Sequence, residues 1–116
     1  MSKIFDSNIE RAEKDSVLAE IVRRLVEAYR PERIYLFGPH ARDEAGPDSD
    51  YDLLVVVPDS APPEQQVSRL AYEAPWGTAT ATDVLVWTWN AFESRLHLRA
   101  SLPFTVLSEG RVLYAT

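Results

Sequence analysis

The chain has 116 residues, of which 46% are apolar and 26% charged, and this balance fits one globular domain spanning residues 1–116. Its net charge of −6 argues against a sequence-independent nucleic-acid binder, which would present a basic patch to phosphates, and favours a basic protein partner. The absence of cysteine excludes disulfides and thiolate metal sites and agrees with a reducing cytoplasm.

The N-terminal segment 1–14 carries several charges and no apolar core, so it does not have the pattern of a signal peptide. No apolar run in the chain is long enough to span a bilayer. We therefore expect a cytoplasmic protein that makes no membrane contact.

The first predicted helix is capped by Asp15 and Ser16 and stops at Pro31. Its apolar residues recur at helical spacing and are expected to pack on a sheet: Leu18, Ile21, Val22, Leu25 and Tyr29. Residues 33–37 then predict a strand, and 39–45 predict a short helix that begins after Gly38.

A second predicted strand, 50–57, is a nearly continuous apolar run, which indicates that both of its faces are covered. Pro58 ends this strand. The pair Pro62 and Pro63 predicts a helix to about residue 74. Its inward residues are expected to be Val67, Leu70 and Ala71.

The last third of the chain predicts a strand over 81–88 and two short helices. Thr88 or Asn90 is expected to cap the first helix, which carries Phe92, Leu96 and Leu98 as its apolar residues. The second helix follows Ser101 and ends at Ser108, with Gly110 placed as a C-terminal glycine cap. A strand over 111–114 closes the predicted domain.

The segment from Gly38 to Asp52 combines a turn that suits phosphate with carboxylates that suit a metal. A strand that runs through a glycine turn into a helix presents backbone N–H groups and a positive dipole end to anions. Side chains alternate along a strand, so Asp50 and Asp52 point to the same face, about 6.6 Å apart along the backbone. Since Mg²⁺ is commonly held by carboxylates together with substrate phosphates, this pattern indicates nucleotide chemistry.

This segment resembles the nucleotidyltransferase motif of the DNA polymerase β superfamily, in which Gly-Ser, a spacer and Asp-x-Asp follow one another. It is most similar to the small bacterial minimal nucleotidyltransferases. Here the elements are Gly38-Pro39, Asp50 and Asp52, and Asp83 stands where the family carries a third carboxylate. The ending 109–114 resembles the family's closing strand. The resemblance implies an α/β fold, a small mixed sheet backed by helices, with the active site along one edge of the sheet.

The resemblance also implies a reaction, the transfer of a nucleoside monophosphate from an NTP to a hydroxyl group with pyrophosphate leaving. ATP is the expected NTP and Mg²⁺ the expected cofactor. The catalytic and metal-binding carboxylates would be Asp50, Asp52 and Asp83. The expected nucleotide-binding residues are Gly38, Pro39, His40, Arg42 and Ser49.

Two positions depart from the family pattern, Pro39 in place of serine and Asp43 in place of a frequent glycine. Proline has neither a hydroxyl nor a backbone N–H, so position 39 cannot donate a hydrogen bond to a triphosphate. Proline nevertheless suits the first position of a helix. We therefore predict that the turn survives with a weaker hold on phosphate.

Several residues near the motif also have ordinary structural interpretations. Arg42 is expected either to neutralise phosphates or to pair with an acidic residue that follows it, namely Asp43, Glu44 or Asp48. His40 either reaches a phosphate or is solvated. The tryptophans form a base-stacking wall, a partner surface or part of the core: Trp76, Trp87 and Trp89.

Small members of the family are often antitoxins of a helical HEPN-type ribonuclease toxin, which some of them silence by adding AMP to a tyrosine. The resemblance therefore implies a HEPN-type toxin as partner and a protein hydroxyl as acceptor. An alternative is a binding module of the same fold that neutralises its partner by contact alone. A third interpretation, a small-molecule nucleotidyltransferase such as those that modify aminoglycosides, is expected to need a further helical domain.

Overall fold

The computed structural model describes residues 9–42, 51–67 and 82–116, and these form a mixed four-stranded sheet with helices on both faces. The helices are α1 (Ile9–Tyr29), α2 (Trp89–Ser94) and α3 (Leu102–Glu109), and the strands are β1 (Arg33–Phe37), β2 (Tyr51–Val57), β3 (Thr82–Thr88) and β4 (Arg111–Ala115). The strand order is β3-β2-β1-β4. Strand β1 is antiparallel to both β2 and β4, and β2 is parallel to β3. The expected α/β class is confirmed.

Helix α1 covers one face of the sheet, here called the α1 face. All five of its expected inward residues are buried, and they pack against Ile34, Leu36, Leu53 and Val55. The predicted start of this helix is wrong, because α1 begins at Ile9 rather than after Asp15. Segment 10–14 consists of good helix formers without an apolar stripe, so propensity extends the helix where periodicity gives no signal. Among the described helices, none is both long and apolar enough to cross a bilayer.

Strand β2 lies in the middle of the sheet and is buried on both sides, as its apolar run predicted. Leu53, Val55 and Val57 belong to the core under α1, whereas Leu54 and Val56 belong to a second core. The second core also contains Tyr35, Phe92 and Val106, and it lies under α2 and α3, on what we call the α2/α3 face.

The predicted helix after Pro62 is wrong in its described part. Pro63–Gln65 forms only a single turn of 3-10 helix, and the Val67 side chain is 48% exposed. The backbone of Val67 faces inward instead, since its carbonyl accepts a hydrogen bond of 2.6 Å from the hydroxyl of buried Tyr29. The remaining inward residues of this prediction, Leu70 and Ala71, lie outside the described residues.

The two short helices have the predicted caps. Thr88 accepts a hydrogen bond from the Ala91 amide at 3.2 Å, and Asp59 adds a second acceptor for the Asn90 amide at 2.8 Å. Ser101 caps α3 by accepting from the Phe104 amide at 3.2 Å. Both helices therefore begin with satisfied backbone donors.

Gly110 follows α3 but does not adopt the left-handed conformation expected of a glycine cap. Its φ is −90°, and its amide donates to the Val106 carbonyl at 2.8 Å. A Cβ at this position would lie 2.5 Å from the Val106 carbonyl oxygen of α3 and 2.6 Å from the Leu36 carbonyl oxygen of β1. The tight junction between α3 and β1, rather than backbone torsion, therefore requires glycine here.

Candidate active site

Asp52 and Asp83 are brought together by the parallel pairing of β2 with β3. The two residues are register partners, so their side chains point to the same face from neighbouring strands about 4.8 Å apart. Asp52 shares its face with Leu54 and Val56, which places the pair on the α2/α3 face. Asp52 is half-buried and Asp83 is exposed. We call this pair the carboxylate edge, because it lies where β2 and β3 begin.

Gly38 lies directly beside the carboxylate edge. Phe37, the last residue of β1, pairs with Asp52, so the chain leaves β1 next to that carboxylate. Gly38 has a φ of 77°, in the left-handed region where side chains other than glycine are strained. A Cβ at position 38 would also overlap the carboxylate group of Asp52. Position 38 therefore requires glycine for two independent reasons, the backbone torsion and the space that Asp52 occupies.

The segment after Gly38, residues 38–42, is a hydrogen-bonded turn, here called the glycine turn. The Gly38 carbonyl accepts from the Ala41 amide at 3.0 Å and from the Arg42 amide at 3.2 Å. The predicted helix over 39–45 is therefore wrong as far as residue 42, and 43–45 lie outside the described residues. The backbone N–H groups of Ala41 and Arg42 were expected to face a phosphate, but they donate hydrogen bonds within the turn itself.

Two further contacts fix the glycine turn. The Arg42 guanidinium pairs with the Glu109 carboxylate at 3.3 Å and so links the turn to the end of α3. The His40 ring stacks on Tyr51 with 4.2 Å between centroids. The sequence offered Arg42 only nearby acidic partners, all three of which lie outside the described residues. Glu109 is 67 positions away, and no local pattern could have identified it.

The described residues provide two of the three predicted carboxylates. Asp50 and Ser49 lie outside the described residues. Within the described ranges, no group of three His, Cys, Asp or Glu side chains is close enough to hold a metal ion. The chemistry of the pair nevertheless fits Mg²⁺, because both side chains offer hard carboxylate oxygens from one face of adjacent strands.

The two described tryptophans belong to the rim of the second core. Trp89 stacks on Phe92 with centroids 6.1 Å apart, and the Arg33 guanidinium lies 5.5 Å from the Trp89 ring. Trp87 is half-buried beneath Arg95, whose guanidinium carbon lies 5.4 Å from its ring. The third tryptophan, Trp76, lies outside the described residues.

Sequence comparison decides the family. Residues 16–113 match the nucleotidyltransferase domain family, which is most of the chain. The chain belongs to this family. The matched range includes the glycine turn and the carboxylate edge, so the nucleotidyltransferase resemblance and the geometry refer to the same residues. No curated protein matches the sequence.

Solved structures agree with the nucleotidyltransferase fold. A provisionally assigned nucleotidyltransferase from Sulfolobus solfataricus superimposes with a TM-score of 0.58 at 16% identity, covering 86% of this chain and 78% of that one. A toxin–antitoxin structure with AMP-PNP gives a TM-score of 0.55 at 22% identity, covering 83% and 72%. A mutant of the toxin–antitoxin MntA–HpeT gives 0.52 at 19% identity, covering 82% and 71%.

Proposed function

We propose that this protein is a Mg²⁺-dependent nucleotidyltransferase that moves a nucleoside monophosphate from an NTP to a hydroxyl of a partner protein. One observation carries the proposal: Asp52 and Asp83 are register partners beside the Gly38 turn in a chain of the nucleotidyltransferase family. We further propose that the NTP is ATP and that the partner is a toxin of the HEPN type.

In this proposal the carboxylates share the metal, and Asp83 has a second role. Asp52 and Asp83, together with Asp50, would hold Mg²⁺, which supplies positive charge to the triphosphate and to the reacting oxygens. The acceptor oxygen attacks the α-phosphorus, and the bond to the oxygen that bridges to the β-phosphate breaks. Pyrophosphate leaves with that oxygen. Asp83 is the more exposed of the described pair, and it orients the acceptor hydroxyl and takes its proton.

The glycine turn would bind the triphosphate with fewer donors than the family pattern supplies. Pro39 has no hydroxyl and no N–H, and the amides of Ala41 and Arg42 already donate within the turn. The remaining contacts would come from His40, from Ser49 and from the Arg42 side chain. Arg42 is exposed and its pair with Glu109 is a surface pair, so exchanging Glu109 for a phosphate costs little.

The structural neighbours support the choice of donor and partner. One neighbour is a toxin–antitoxin with AMP-PNP, an analogue of ATP, and another is a toxin–antitoxin mutant with two aspartate-to-glutamate changes two positions apart. Asp50 and Asp52 have the same spacing.

A second candidate function is a binding module that neutralises its partner by contact alone. The observation that favours it is the glycine turn, where Pro39 and the two engaged amides leave a weak site for phosphate. The two functions differ in stoichiometry. Contact requires one copy for each partner molecule, whereas transfer lets one copy modify many.

The test is label transfer from α-labelled ATP to the purified protein encoded beside this gene. The wild-type protein is expected to label the partner at substoichiometric dose, and Asp52→Asn is expected to abolish labelling, because it removes a charge that Mg²⁺ requires. Glu93→Gln, an equal charge change at an exposed site on α2, is the matched control and should label normally. If the wild-type protein neutralises the partner without adding nucleotide mass, the binding module takes the place of the enzyme.

A further inference from the structure

A groove of about 560 Å³ opens on the α2/α3 face beyond the carboxylate edge. It lies between the end of β3 and the start of α3, and we call it the arginine groove. The residues that define it are Trp87, Arg95, Leu98, Arg99 and Leu102. Its floor is apolar, and the Leu98 side chain is 46% exposed. The sequence placed Leu98 on the helix that carries Phe92, but α2 ends at Ser94.

Two cations stand over this apolar floor. Arg95 and Arg99 are both exposed, and Arg95 stacks over Trp87. Neither arginine makes an ion pair with any residue in the described part of the chain. Paired guanidinium groups in a chain of net charge −6 form a local site for carboxylates.

The arginine groove and the carboxylate edge lie at the two ends of one face of β3. Asp83, Leu85 and Trp87 alternate on one face of β3, which is an edge strand of the described sheet. Leu85 lies between the other two and is 43% exposed. From Asp83 to Trp87 the strand rises about 13 Å. A ligand in the groove can therefore extend along β3 to the carboxylates.

We propose that the arginine groove docks an acidic and apolar segment of the acceptor protein. A carboxylate of that segment pairs with Arg95 and Arg99, an adjacent apolar side chain packs on Trp87 and Leu98, and the acceptor hydroxyl lies about 13 Å away at Asp83. The docking rests on surface chemistry. The delivery of the hydroxyl rests on the proposed function.

Charge complementarity selects this occupant over the nucleotide. The triphosphate belongs beside Gly38, which adjoins Asp52 at the end of β1, whereas the groove lies at the opposite end of β3. Exposed leucines at positions 85 and 98 also offer more apolar surface than a phosphate ligand uses. A protein segment uses both the cations and the apolar floor.

The experiment measures the affinity of the purified protein encoded beside this gene by calorimetry. The test variant is Arg95→Glu with Arg99→Glu, and the control is Arg23→Glu with Arg30→Glu, which changes the net charge equally from exposed positions at α1. We expect the test variant to bind at least about tenfold more weakly, with the control within about twofold of wild type. Leu98→Ser, which leaves every charge in place, should weaken binding by a few-fold.

Each outcome decides the proposal. Equal affinity of the test variant and wild type, or no binding by wild type, overturns it. A loss of ATP affinity without a loss of partner affinity also overturns it and assigns the groove to nucleotide. If wild type transfers no label but the test variant still loses the partner, docking stands and the proposed transfer fails. Circular dichroism of both variants checks that each is folded.

Discussion

The two faces of the sheet are covered to different extents. On the α1 face a helix of 21 residues spans the strands, and even Tyr51 at the start of β2 is only 6% exposed. On the α2/α3 face two short helices cover Leu54 and Val56 but leave Asp52 half-buried and Asp83 and Leu85 exposed. The α1 face therefore supplies most of the buried apolar surface among the described residues, whereas the α2/α3 face leaves the carboxylate edge accessible to solvent.

The largest expected effect is a difference in stability between leucine-to-alanine variants on the two faces of the sheet. Leu53→Ala removes a fully buried side chain under α1 and should lower the free energy of unfolding by about 2–5 kcal/mol. Leu85→Ala, the matched change at an exposed position of β3, should change the free energy of unfolding by no more than about 0.5 kcal/mol. Urea denaturation measures both. Similar losses for the two variants would show that the α2/α3 face is packed as fully as the α1 face.

The next prediction is that alanine at Gly38 impairs nucleotide transfer, whereas alanine at Gly110 impairs only stability. Gly38→Ala should reduce label transfer on the order of a hundredfold, because the new methyl group displaces the Asp52 carboxylate. Gly110→Ala also meets neighbouring atoms, the Val106 and Leu36 carbonyl oxygens, but it lies on the β4 side of β1, whereas Asp52 lies on the β2 side. This variant should lose stability while keeping transfer at temperatures where it is folded. Unchanged transfer by Gly38→Ala would remove the glycine turn from the site.

The smallest expected effect is on the pH dependence of stability, through an ion-paired glutamate on the outer surface of α1. Hydrogen bonds from Arg23 and Arg24 lower the pKa of Glu20 from 4.5 to about 2. A lowered folded-state pKa means that this contribution to stability is present above about pH 4.5 and is lost as the pH falls through about 2. Because Glu20 is at the surface, the effect is small. The free energy of unfolding of Glu20→Gln and of wild type is measured between pH 5 and pH 2. The variant should lose slightly less stability over this range. Parallel profiles would count against the ion pairs.

The sequence predicted β1 and β2 well because proline and glycine bound their apolar runs: β1 lies between Pro31 and Gly38, and Pro58 follows β2. It did not predict the first turns of α1, where no apolar stripe marks the helix. The site residues were predicted from the motif and the family resemblance, and the structure adds that Asp52 and Asp83 are register partners on neighbouring strands. The Arg42–Glu109 pair and the arginine groove join distant segments, so local patterns carry no signal for either.

The central claim is that Asp52 and Asp83 act as one Mg²⁺ site. The most direct measurement is a double-mutant cycle on the Mg²⁺-dependent affinity for AMP-PNP, with Asp52→Asn, Asp83→Asn and the double variant. If the site is shared, each single substitution should weaken binding at least about tenfold, and the double variant should be little weaker than either single variant. Additive losses, or full Mg²⁺-dependent affinity in Asp83→Asn, would contradict the claim.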